Sequence, residues 1–116
     1  HPSAVPLLPS DGSVVVCEWG YEAEHDFAPA LTRLRAAGVP SFVCPGTSGW
    51  NSIAGRWTNA EANLRRAAEQ GQAAGASGYV ITDWGDTHHV QASFASMPGL
   101  IVGAACAWAG STGANW

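Results

Sequence analysis

The stretch GYVITDWGD at residues 78–86 carries the densest chemistry of the chain. Val80 and Ile81 read as the apolar centre of a short strand that runs directly into Asp83, Trp84, Gly85 and Asp86, with His88 and His89 just beyond. A tryptophan set between two carboxylates at the mouth of a strand suits a sugar site. The indole face takes the apolar face of a pyranose, and the carboxylates accept hydrogen bonds from its hydroxyls. The same design occurs earlier as Glu18-Trp19-Gly20-Tyr21-Glu22, and Trp50 with Asn51 adds another aromatic and polar pair.

Other chemistries fit less well. Glu22 and Asp86 could face each other as acid and base across a site. Asp83, Asp86, His88 and His89 are metal-ligating types, but neighbouring histidines on an extended backbone point apart and no standard ligand spacing is met, so no metal is expected. GTSGW at 46–50 lacks the spacing of a nucleophile elbow, and no Gly-Lys-Ser/Thr follows to make a phosphate loop. Glu18 precedes Trp19 and should point to the opposite face of their strand, where an arginine such as Arg56 could pair with it. Asp83 could alternatively cap a neighbouring element or hold a tryptophan N–H. Arg65 and Arg66 with Glu61 and Glu69 read as i,i+4 pairs on a solvated helix face.

The elements that must position these residues alternate. Residues 1–12, with three prolines, form an irregular lead-in, and 13–116 form one α/β unit. Strands are expected at 13–19, 41–44 and 78–84. The run Val14-Val15-Val16 is typical of a strand buried on both faces. Helices are expected at 27–37, capped by Asp26 and closed by Gly38; at 59–74, ended by Gly75; and at 99–108. Strand–helix alternation predicts parallel strands, with the site at their carboxyl ends. The residues rich in Trp, Asp, Asn and His all follow strands.

Composition narrows the function classes. The 116 residues are 47% apolar and only 12% charged, with net charge −4 and no lysine. No basic stripe exists, so no nucleic-acid partner is expected. No apolar run reaches the ~18 residues of a membrane span, so no membrane partner is expected either. Cys17, Cys44 and Cys106 form no CxxC pair and read as buried thiols, which favours a reducing, cytoplasmic compartment. Three strands cannot close a barrel, which takes roughly 250 residues, so the chain reads as part of something larger.

The motifs WGYE at 19–22, CPGTSGWNSIAGR at 44–56 and TDWGD at 82–86 together resemble the last part of the catalytic barrel of glycoside hydrolase family 20, the β-N-acetylhexosaminidases and their bacterial relatives. The resemblance covers roughly residues 13–109. It implies a partial (β/α)8 TIM barrel of about three β/α units, the sixth to eighth strands, completed by the upstream half of the same barrel. It further implies removal of terminal N-acetylglucosamine or N-acetylgalactosamine, without a cofactor. Trp19, Trp50 and Trp84 would wall the sugar pocket; Glu22, Asn51, Asp83, Asp86 and His88 would contact substrate. Trp84 and Asp86 resemble the family's Trp-x-Glu pair, with an aspartate one methylene shorter, and Trp50-Asn51 departs from its Tyr-x-Asp. The family's catalytic Asp-Glu pair, which serves substrate-assisted retention, has no counterpart here, since no Asp-Glu dipeptide occurs in the sequence. No catalytic residue is therefore expected in this segment, which alone should be inactive. Two further readings stay open: a non-catalytic carbohydrate-binding α/β protein, and a metal-dependent barrel hydrolase using Asp83, Asp86 and His88.

Overall fold

The computed structural model describes residues 2–50, 52–85 and 91–110. Asn51, Asp86, His88 and His89 therefore lie outside the described residues. The fold is mixed α/β, with strands β1 (Val16–Trp19), β2 (Ser41–Cys44) and β3 (Gly78–Tyr79) and helices α1 (Ala28–Ala36), α2 (Trp57–Ala74) and α3 (Met97–Ala109). Short 3₁₀ segments span Pro2–Leu7, inside the lead-in expected to be irregular, and Ser93–Ser96 ahead of α3. The sheet is parallel throughout in the order β1-β2-β3, as the alternation predicts.

Each boundary has a local cause. Asp26 Oδ1 accepts from the Ala28 N–H at 3.2 Å, and Pro29 in the first turn of α1 loses no hydrogen bond there. Gly38, at φ 71°, stops the chain after α1. Helix α2 begins two residues before the expected start and ends in Gly75 at φ 73°. The Ala76 and Gly75 N–H groups fold back onto the carbonyls of Gly71 and Gln72, which satisfies the helix end.

The third strand is shorter than its sequence implies, and proline explains why. Val80 N–H donates to the Val43 carbonyl, Thr82 N–H to the Pro45 carbonyl and Thr47 N–H to the Thr82 carbonyl. The ladder thus continues to an isolated bridge, Gly46 with Thr82. The one rung that would run from residue 45 to Val80 is missing, because Pro45 has no N–H to donate.

All three helices pack on one face of the sheet. Val43 meets Phe27, Leu31 and Ala67 there, and Leu64 lies at the centre of a second cluster with Ala60, Val102 and Cys106, against which Tyr79 and Ile81 pack. Tyr79 Oη donates to the Leu64 carbonyl at 2.8 Å. Gly103 lets α3 approach: a Cβ there would sit 2.6 Å from Ile81 Cδ1. The opposite face carries Cys17, Trp19, Phe42, Val80 and Trp84, and no described element covers it. The expectation of a first strand buried on both faces is therefore wrong. β1 begins only at Val16, Val14 and Val15 are 37% and 43% exposed, and Cys17 is exposed rather than buried.

Leu64 is fully buried, and its truncation removes both transfer energy and packing. Leu64→Ala should lower unfolding free energy by about 2–5 kcal/mol in urea melts.

Candidate functional site

The segments that follow the three strands meet at the carboxyl edge of the sheet, and aromatic rings fill the junction. Tyr21 is the hub. Its ring stacks on Trp19 with centroids 5.5 Å apart and meets Trp50 edge-on at 5.0 Å. Its hydroxyl oxygen accepts from Trp84 Nε1–H at 2.8 Å. Trp19 and Trp84 remain 63% and 46% exposed, so each offers a ring surface for stacking. Beneath them an open groove of about 570 Å3 is lined by Cys17, Trp19, Tyr21, Cys44, Val80 and Trp84. Trp50 lies over Gly46, where a Cβ would collide with its ring.

Two asparagines of α2 hold these segments in place. Asn63 is completely buried; its Oδ1 accepts from Gly46 N–H at 3.1 Å, while Nδ2 donates to the carbonyls of Gly20 and Glu22, both at 3.0 Å. One turn earlier, Asn59 accepts from Ala23 N–H at 2.9 Å and donates to the Tyr21 carbonyl at 2.7 Å and to Ser48 Oγ at 2.8 Å. Ser48 is itself buried, with φ 55°, a backbone state that costs a non-glycine residue energy and persists where its surroundings enforce it.

The carboxylates are already committed. Asp83 Oδ1 accepts from the hydroxyls of Thr47 and Ser96, which ties the segment after β3 to the segment after β2 and to the residue just ahead of α3. Gly49 sits against this network, where a Cβ would strike Ser96 Oγ. Arg56 does not pair with Glu18. Instead it grips Glu22 with two hydrogen bonds of 3.0 and 2.7 Å, which holds the Glu22 carboxyl below its ordinary range and raises the Arg56 guanidinium in turn. Glu18 faces away from Trp19, as alternation requires, and meets His25 Nε2 at 3.4 Å. Glu22 shares a second hollow, on the outer side of β1, with Glu18, Glu24 and His25. Of the expected i,i+4 pairs, Arg65 holds Glu61 at 3.0 Å, while Arg66 donates to the Ala23 carbonyl.

Of the residues expected at a sugar site, Trp19, Trp50 and Trp84 come together around Tyr21, whereas Asp83 is turned to Thr47 and Ser96 and Glu22 is paired with Arg56. Asn51, Asp86 and His88 lie outside the described residues. Tyr21, Asn59 and Asn63 were not among the site residues expected from the sequence. Paired asparagines at i,i+4 inside a helix, where their propensity is poor, are the signal that could have found the clamp. Among the described residues, no three His, Cys, Asp or Glu side chains converge as a metal site, and no helix is long and apolar enough to cross a membrane. No protein-family model matches the chain, and no curated protein or solved structure matches it either.

Asn63→Ala strands one buried N–H and removes the partner of two carbonyls. It should cost about 2–4 kcal/mol in chemical denaturation and shift the tryptophan emission of the folded state. The Glu22–Arg56 pair is exposed, so a double-mutant cycle at neutral pH should return only about 0.2–1 kcal/mol. Because folding lowers the Glu22 pKa from its ordinary 4.5, this coupling is fully present above that value. It should vanish as pH falls through the depressed one.

Proposed function

We propose that this chain forms the sugar-binding wall of a (β/α)-barrel glycoside hydrolase that removes terminal N-acetylhexosamine from oligosaccharides or glycoconjugates. The observation that carries the reading is the convergence of Trp19, Tyr21 and Trp84 above a sheet face that no described helix covers, at the carboxyl ends of parallel strands. Exposed indole rings stack on the apolar face of a sugar, and the polar groups around them fix its orientation. One-sided helix packing also supports the barrel. In a (β/α) barrel the helices lie outside and the opposite strand face lines the interior, so the open face here would be the inner wall, closed by the remaining strands of the same barrel.

In this reading Trp19, Trp50 and Trp84 wall the pocket. Tyr21 orients Trp84 by accepting its N–H, and Asp83 acts chiefly as a brace, because the Thr47 and Ser96 hydroxyls occupy its Oδ1. Glu22 reaches a sugar hydroxyl as a carboxylate kept charged by Arg56. Asn51, Asp86 and His88 are the proposed remaining contacts. Hydrolysis itself would need the acid pair that these 116 residues lack, so the segment contributes binding and no catalytic group, cofactor or metal. Its partner is the carbohydrate, of N-acetylglucosamine or N-acetylgalactosamine type, rather than nucleic acid or membrane.

In the full-length protein Trp84→Ala should weaken N-acetylglucosamine binding by ~1–3 kcal/mol, measured by calorimetric titration. Unchanged affinity would overturn the assignment. Tight binding of the same sugar by the 116-residue chain alone would instead favour a self-contained carbohydrate-binding protein.

A further inference from the structure

Two thiols meet in the floor of the groove. The register pairs Cys17 with Phe42 and Trp19 with Cys44, so Cys17 and Cys44 are diagonal neighbours on adjacent strands and share the face that no described helix covers. Both line the groove below Trp19 and Trp84. Cys17 is exposed, whereas Cys44 is only 4% exposed. Cys106 lies apart, in the core between α2 and α3 on the other side of the sheet.

We propose that Cys17 and Cys44 form a two-coordinate site for a soft monovalent cation of the copper(I) type. Diagonal strand neighbours have Cα atoms ~7–8 Å apart, beyond the usual reach of an unstrained disulfide. A single ion held between the two sulfurs bridges a longer span. Thiolates select soft d10 ions. Zinc needs four ligands, and the described residues place no third Cys, His, Asp or Glu with these two. The nearest carboxylate in sequence, Glu18, is on the opposite face with His25.

The step is a ligand exchange without redox change. Each sulfur releases its proton to solvent and donates a lone pair to the ion, so two thiols and one monovalent cation give a bis-thiolate of charge −1 and two protons. Each thiol must lose its proton before it binds, so occupancy is opposed by protons and affinity rises with pH. Entry is through Cys17, and the sugar reading is not needed for the site to work.

The reduced chain is titrated anaerobically with copper(I) against a competing copper(I) chelator. Thiolate-to-copper absorption, the emission of Trp19 and Trp84 above the site, and alkylation of each cysteine are read together. The expected result is one ion per chain, quenched tryptophan emission, and protection of Cys17 and Cys44 with Cys106 unaffected. Cys17→Ser changes an exposed side chain and should leave the far-ultraviolet spectrum intact while lowering affinity about 100-fold, because the second sulfur no longer acts intramolecularly. Cys106→Ser should bind as the parent does. No binding, one ion shared by two chains, protection of Cys106, or unchanged affinity in Cys17→Ser would each overturn the proposal.

Discussion

The amide side chains of Asn59 and Asn63 are the constraint on which the carboxyl edge of this molecule depends. A loop that follows a strand carries backbone N–H and carbonyl groups with no ladder left to satisfy them, and burial makes each one expensive if unpaired. Asn63, with its acceptor turned to the segment after β2 and its donor to the segment after β1, closes that deficit on both sides at once. Asn59 repeats the arrangement one turn nearer the helix start. The ring cluster of Trp19, Tyr21 and Trp50 inherits its geometry from this fixed backbone. Tyr21, whose own carbonyl is held by Asn59, then passes the constraint to Trp84 through its hydroxyl.

The second organising fact is asymmetry. Val43, Tyr79 and Ile81 are drawn into the helical layer, while Cys17, Trp19, Val80 and Trp84 face the other way and stay accessible. A parallel sheet is ordinarily covered on both faces, and apolar patches of this kind mark surfaces that meet something else.

Much of the architecture was readable from hydrophobic runs and turn residues. The three parallel strands, the apolar spacing of Phe27, Leu31 and Leu34, and the stops at Gly38 and Gly75 all follow from local rules. What escaped was non-local. Nothing near Val14 and Val15 says that no described element covers their second side. The early end of β3 was written in Pro45, 33 residues before Gly78, and only pairing reveals it. Arg56 was matched with Glu18 by charge, but Glu18 faces His25 and the guanidinium reaches Glu22. The aromatic and carboxylate residues were recognisable by type, whereas the asparagines that hold them carried no role in the sequence beyond their place in a helix.

The clamp also has a kinetic side. Asn63 bonds to groups 17, 41 and 43 positions away in the chain, so none of its contacts can form while α2 is an isolated helix. Loop closure has to be completed first, and contacts of high sequence separation slow the search for the native state. The strands and helices can reach their local conformations early, but the aromatic cluster becomes ordered only when α2 docks. Tryptophan ordering in this molecule is therefore a clock for the final step of folding rather than for collapse.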